Sequence, residues 1–232
     1  MNIKYGMILA AGLGKRMKPL TLKTPKPLLE INNISLIERA INLLVSHGVQ
    51  EISINVHYLS EQIQSFVNKR KFGAKITISS EVNLLLDTGG GVLKGAKNFG
   101  NNPFFVINPD TIWGKNYLGE LKKIESIYLE NKKPILLLVD KKLSIDPSFK
   151  GDFNLIDGKI SKGDKNQFIF TGLQIIDRSF LIKEKLQVFS MNKIWNKLIK
   201  EKNLYGLESN QKFYHLNTFD MYKKILSLNI TD

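Results

Sequence analysis

Cysteine is absent from the 232 residues, which removes disulfides, thiolate zinc sites and cysteine nucleophiles together and fits a reducing compartment. Long apolar runs are missing too. The longest uninterrupted aliphatic stretch, residues 135–139, falls far short of the roughly 20 residues a bilayer-spanning helix needs, and residues 1–11 lack the layout of a cleavable secretory signal. The expectation is a cytoplasmic protein with no membrane partner. Acidic residues are in deficit: 34 Lys and Arg face 21 Asp and Glu, a formal net charge of +13. Such an excess points first to nucleic acid, where basic groups release counterions from the phosphate backbone. Arginine is scarce, however, with four against thirty lysines. The lysines are scattered and do not interleave with aromatics as a strand-stacking groove requires, and asparagine and isoleucine are abundant, as in an AT-rich genome. No nucleic-acid partner is expected. Repeats, low-complexity tracts and flexible linkers are also lacking.

What is present is a globular composition, 43% hydrophobic and 24% charged with a mean hydropathy of −0.13, enough for one α/β domain over residues 1–232. Residues 3–10 read as a buried first strand. An irregular stretch follows to residue 33. Ser35-Leu-Ile-Glu38 is a capping box, opening a helix that carries Leu36, Ile37, Ala40, Ile41, Leu43 and Leu44 on one face and ends at Gly48. Strands are predicted over 51–56, 74–79, 103–108 and 134–139, and helices over 60–71, about 89–99 and 116–130. This alternation implies βαβ crossovers and a mainly parallel mixed sheet flanked by helices. Beyond residue 140 the elements shorten. Segments 151–156 and 159–161 flank Asp157-Gly158, a hairpin signal, a longer strand spans 168–177, helical periodicity returns at 192–202, short strands surround Tyr205 and Phe213, and a helix over 218–228 follows. Residues 1–140 read as a nucleotide-binding half and 141–232 as a smaller, more antiparallel part packed on the same sheet and carrying the last helix.

Chemistry concentrates just after the first strand, where open parallel sheets place their ligands. Gly12 and Gly14 allow backbone amides to approach a phosphate. A dinucleotide fingerprint needs glycine where Met17 stands, and a P-loop needs Ser or Thr where Arg16 follows Lys15, so neither applies. What remains is a glycine loop delivering Lys15 and Arg16, followed by Lys26 between Pro25 and Pro27. Flanking prolines restrict the backbone, which presents the Lys26 ammonium from a stiffened strut suited to gripping phosphate charge.

The stretch Leu9-Ala-Ala-Gly-Leu-Gly-Lys-Arg-Met-Lys-Pro-Leu-Thr21, with Pro25-Lys-Pro27, closely resembles the signature of the sugar-1-phosphate nucleotidylyltransferases. The resemblance implies a glycosyltransferase-A-like, Rossmann-like α/β fold. It also implies that Ala11, Gly12, Gly14, Lys15 and Arg16 hold the triphosphate and that Lys26 contacts the reacting phosphates. Asp87-Thr-Gly-Gly-Gly91 resembles the family's base-pocket step, making Thr88, Gly89 and Gly90 candidates to lie against nucleobase and sugar. Asn108-Pro-Asp110 ends the fourth predicted strand, where a carboxylate is well placed to hold magnesium alongside substrate phosphates. The family's Gly-Asp has Pro109 before the aspartate here, and the resemblance makes Asp110 the metal ligand. Segments Gly151-Asp-Phe153 and Phe170-Thr-Gly-Leu173 resemble the sugar pocket of the N-acetylmuramate-1-phosphate uridylyltransferases, with Asp152 and Gly172 as candidate sugar contacts. Trp113, Phe189-Ser-Met-Asn before Trp195, and Leu204-Tyr-Gly-Leu207 resemble that branch too.

One segment departs from the pattern. Family members commonly carry a second metal aspartate in a segment resembling Trp-Val-Asp-Val-Gly-Thr, and this chain has Tyr214-His-Leu-Asn-Thr218. His215 takes the aspartate's place and Asn217 the glycine's. Imidazole suits magnesium poorly, which leaves four readings: His215 touches phosphate or a metal-bound water, Asn217 supplies the oxygen, the site is weakened, or His215 is an ordinary strand residue.

Together these imply a magnesium-dependent enzyme, monomeric or homodimeric, moving a nucleotidyl group from a nucleoside triphosphate, UTP first, to a sugar-1-phosphate, N-acetylmuramate-1-phosphate first, in cell-wall recycling. Alternatives within the fold are guanylyl or thymidylyl transfer to mannose-, heptose- or glucose-1-phosphate and cytidylyl transfer to phosphocholine. From another class comes a catalytically weak nucleotide-sugar-binding regulatory protein, motivated by His215 and Asn217.

Overall fold

The computed structural model describes residues 2–181, 184–228 and 230. Strand β1 (Tyr5–Leu9) runs into three short 3-10 turns, Lys15–Met17, Leu20–Leu22 and Lys26–Leu28. A small hairpin, β2 (Glu30–Ile31) with β3 (Ile34–Ser35), leads to helix α1 (Leu36–His47). Ser35 Oγ accepts the Glu38 N–H at 3.3 Å, and Gly48 closes the helix at a φ of 108°, so the serine cap and the glycine stop act where the sequence places them, while the Glu38 carboxylate pairs with Arg70 at 2.7 Å. The crossovers follow as β4 (Glu51–Val56), α2 (Ser60–Asn68), β5 (Lys75–Ser80), α3 (Asp87–Gly95), β6 (Phe104–Ile107), α4 (Leu118–Asn131) and β7 (Ile135–Asp140). The remaining elements are β8 (Asn154–Ile156), β9 (Lys159–Ser161), β10 (Phe168–Ile176), α5 (Met191–Lys200), β11 (Tyr205–Ser209) and α6 (Phe219–Leu226).

Nine strands form one mostly parallel mixed sheet in the order β5-β4-β1-β6-β10-β7-β11-β9-β8. The parallel pairs are β5 with β4, β4 with β1, β1 with β6, and β7 with β11. Strand β10 runs antiparallel between β6 and β7, so the second half of the chain enters the middle of the sheet. The Asp157-Gly158 turn has positive φ at both residues, 49° and 74°, as a two-residue hairpin of the favoured twist requires. The strand expected around Phe213 is reduced to an isolated bridge with Ser144.

Because side chains alternate across a strand, each central strand feeds two cores. Ile8, Phe105, Ile107, Ile135 and Leu137 pack with Ile37, Ile41 and Leu44 of α1 and Leu121 and Ile124 of α4. Their neighbours Met7, Phe104, Val106, Leu136 and Leu138 pack with Val92 of α3 and Met191, Ile194, Trp195 and Leu198 of α5. Burial on both faces explains the unbroken apolar runs of β6 and β7. Among the described residues, no helix is long and apolar enough to cross a membrane.

The chain passes from β1 to β4 and β5 on one side, then returns through α3 to β6 on the other side of β1. That reversal leaves a crevice at the carboxyl ends of β1 and β6, the place where open α/β sheets take ligands.

Candidate active site

A cavity of about 560 Å³ fills this crevice. The turn after β1 lines it with Ala10, Ala11, Gly12, Gly14, Lys15 and Arg16, the end of β4 with Asn55, and the end of β6 with Asn108, Pro109 and Asp110. Leu85, Asp87 and Thr88 come from the approach to α3, and Lys26 from the third 3-10 turn. A Cβ added at Gly12 would meet nothing within 4 Å, so this residue borders open space. Gly14 is constrained from the protein side. Its φ is +61°, and a Cβ there would lie 2.9 Å from Thr21 Cγ2 and 3.3 Å from Lys26 Cβ, while its carbonyl accepts the Thr21 hydroxyl at 2.8 Å. That left-handed turn folds the basic loop back onto the Lys26 strut. Lys15 and Arg16 are exposed, which leaves two cations at the cavity wall.

Lys26 Nζ lies 2.6 Å from Asp110 Oδ2, and His215 Nε2 lies 3.3 Å from the same oxygen. Burial alone would raise the Asp110 pKa, but the Lys26 and His215 charges and their hydrogen bonds prevail and hold the carboxyl well below its ordinary range. Backbone pairing brings the partners together: Leu216 N–H donates to Asp110 O at 2.7 Å and Ile112 N–H to Tyr214 O at 2.8 Å. The other oxygen, Asp110 Oδ1, is buried and has no hydrogen-bond partner.

Of the residues singled out in the sequence, Ala11, Gly12, Gly14, Lys15, Arg16, Lys26, Thr88, Asp110 and Asn217 therefore meet at one cavity. The others do not line it. Gly89 and Gly90 are packed against the protein: a Cβ at Gly89 would strike the Phe189 ring at 2.3 Å and one at Gly90 the Gln187 carbonyl at 2.4 Å. The backbone N–H groups of both donate to Phe189 O. Gly172, at φ +94°, stands behind Asn108, whose N–H donates to its carbonyl at 2.8 Å, and Asp152 is an exposed acceptor for the Phe170 N–H at 2.9 Å. His215 partners Asp110 through Nε2. Its ring stacks on Phe213 at 5.8 Å and meets Phe149 edge-on at 5.6 Å. No cluster of three or more His, Cys, Asp or Glu able to hold a metal occurs among the described residues.

Two lining residues went unread in the sequence. Asn55 Oδ1 accepts the Ala10 N–H at 2.8 Å, and its Nδ2 donates to Glu81 Oε1 at 2.8 Å. Glu81, only 1% exposed, also accepts the Leu86 N–H at 2.9 Å. This relay ties the glycine loop to the approach of α3 through three elements. It also explains Gly91, where a Cβ would lie 2.7 Å from Asn55 Nδ2 and 2.9 Å from Glu81 Oε1. Glu81→Ala strips two buried donors of their acceptor at about 1–3 kcal/mol each, so a loss of roughly 3 kcal/mol and a drop in Tm of ~6–12 °C are expected. Calorimetry checks this, and a Tm within a degree of wild type would refute the relay's structural weight.

Comparison with known proteins bears on the same residues. The nucleotidyl transferase family model matches residues 5–139. The N-acetylmuramate alpha-1-phosphate uridylyltransferase of Caulobacter vibrioides is 28% identical over 221 residues, covering 92% of this chain and 91% of that protein. Mannose-1-phosphate guanyltransferase 2 of Candida glabrata is 31% identical over 213 residues, covering 88% of this chain but 58% of its own length. Among solved structures, a putative glucose-1-phosphate thymidylyltransferase from Bacillus anthracis superposes with a TM-score of 0.80 at 22% identity, covering 98% of this chain and 97% of that one, a likeness of fold.

Proposed function

This chain belongs to the nucleotidyl transferase family, and we propose that it transfers the nucleotidyl group of a nucleoside triphosphate to a sugar-1-phosphate and releases pyrophosphate. One observation carries the reading: Arg16, Lys26 and Asp110 line a single cavity at the sheet's reversal point. An ionised phosphate oxygen of the sugar-1-phosphate attacks the α-phosphorus. The new P–O bond forms as the bond to the oxygen bridging α- and β-phosphorus breaks, and that electron pair leaves with pyrophosphate. No proton has to move, so the site's task is alignment and charge stabilisation and not base catalysis. Lys26, fixed on its turn, steadies the reacting phosphates. The exposed Arg16 draws the leaving pyrophosphate, and Lys15 adds charge beside it. Ala11, Gly12 and Gly14 leave room for phosphate against the backbone.

Magnesium is the metal we propose. Asp110 Oδ1 and Asn217 Oδ1 are buried oxygens without partners, the hard donors that this ion takes together with substrate phosphates. When bound, it supplies charge neutralisation at the phosphate oxygens.

For substrates we propose UTP and N-acetylmuramate-1-phosphate, supported by the near full-length alignment with the Caulobacter vibrioides uridylyltransferase. Magnesium-dependent pyrophosphate release with that sugar phosphate, run separately with UTP, GTP, CTP, ATP and dTTP, tests it. UTP is expected to lead the others by roughly tenfold or more. Release only with GTP and mannose-1-phosphate would replace this reading with guanylyl transfer. Binding of nucleotide-sugar without release from any sugar phosphate would replace it with a sensor.

A further inference from the structure

Asn217 stands where the family has a glycine, and the structure gives its side chain a defined attitude. It is 9% exposed and lines the cavity. Its Nδ2 donates to Asp146 Oδ2 at 2.7 Å, while its Oδ1 is buried with no hydrogen-bond partner. Asp146, 8% exposed, is itself immobilised: Oδ1 accepts the Ser148 N–H at 2.9 Å and the Ser148 hydroxyl at 2.6 Å. Ser144 Oγ accepts the Asp146 N–H at 3.1 Å. A carboxylate only accepts, so it admits the amide's NH₂ side and turns the carbonyl oxygen away.

Asp110 holds a second oxygen in the same condition. The Leu216 N–H bond to Asp110 O lays Asn217 beside Asp110, whose Oδ2 is taken by Lys26 and His215 while Oδ1 stays unpartnered. Two buried, unpaired oxygens on adjoining backbone segments are costly unless a cation or donor uses them.

We propose that Asp146 is a positioning residue that locks the Asn217 amide so that Asn217 Oδ1 and Asp110 Oδ1 form a two-oxygen seat for a divalent cation. The inference rests on the nucleotidyl-transfer reading for the reaction the cation serves, but its test reads binding and not turnover.

The test uses the whole chain with Mn²⁺ as the only added ligand, binding followed by water-proton relaxation. Asn217→Ala and Asp146→Asn are each expected to weaken Mn²⁺ by ~10–100-fold, the second because its new amide can donate to Asn217 Oδ1 and withdraw it. The paired exchange Asp146→Asn with Asn217→Asp keeps the hydrogen bond with its roles reversed and places a carboxylate in the seat, so wild-type affinity or better returns. Thermal melts of the exchange variant separate this rescue from mere folding. Unchanged affinity in the single variants, or an exchange no better than they are, would overturn the proposal. So would an Asn217→Ala variant that raises only the KM for sugar phosphate. Asp110→Asn runs alongside: loss of Mn²⁺ there with no effect at Asn217 or Asp146 defeats the inference and leaves the metal assignment standing. A wild type that binds no Mn²⁺ defeats both, while pyrophosphate release remains a separate readout of the reaction.

Discussion

Lys26→Ala is expected to lower turnover by roughly 100-fold or more with the chain still folded. The residue's backbone does not depend on its side chain: Leu28 N–H donates to Pro25 O at 2.8 Å and Leu29 N–H to Lys26 O at 3.1 Å, and Pro25 holds φ at −63°. The ammonium itself is 15% exposed and pairs with Asp110 at 2.6 Å. It neutralises that carboxylate at the cavity wall, and the proposed reaction brings phosphate oxygens to the same cavity. Alanine removes it where charge develops in the transition state, which lowers kcat more than binding. Half-saturating Mg²⁺ is expected to stay unchanged or fall, because Asp110 loses a competing cation. Lys26→Arg restores charge but not the compact, strongly hydrated ammonium, so rescue should be partial. Steady-state pyrophosphate release with a melting curve measures all of this, and a folded alanine variant near wild-type rate would remove Lys26 from the mechanism.

What the sequence made legible were features with local causes. Ser35 caps α1 through the Glu38 N–H because both partners lie within one turn, and Asp157-Gly158 forms its hairpin because the turn itself demands positive φ. The meeting of Gly14, Arg16 and Lys26 at one cavity was readable because proline and glycine spacing announces a fixed loop. Illegible were features created by distant pairing. Strand β10 between β6 and β7 joins residues far apart in the chain, and no periodicity within 168–176 reveals its neighbours. Asn55 sits in an apolar strand and Glu81 just past another, and only the fold makes them one relay. Gly89 and Gly90 show the same limit in reverse. The glycines were visible, but what crowds them is Phe189 and the Gln187 carbonyl crossing above α3, contacts far distant in sequence.

Asp110→Asn should produce the larger loss, on the order of a thousandfold in turnover, with a signature unlike that of Lys26→Ala. The amide is isosteric and its oxygen can still accept from Lys26, so the fold is expected to hold. What disappears is the negative charge that offsets Lys26 and His215 and would face a cation. In the wild type burial pushes the carboxyl up, but the Lys26 and His215 side chains beside it outweigh that and its pKa lies below the ordinary 3.8. Asp110 therefore stays ionised in any neutral or mildly acid assay, and the activity profile should not break on this group. The sign for stability follows. A depressed pKa contributes stability that is present above 3.8 and is lost as pH falls through the folded value, so the wild type should exceed Asp110→Asn in stability at neutral pH by a margin that narrows under strong acid. Half-saturating Mg²⁺ should rise roughly tenfold or more in this variant and not in Lys26→Ala. Measured side by side, that divergence separates a group that seats the cation from one that meets the phosphates. An unchanged magnesium response in Asp110→Asn would take the metal away from β6 and leave cationic Lys26 and Arg16 as the site's principal source of charge stabilisation.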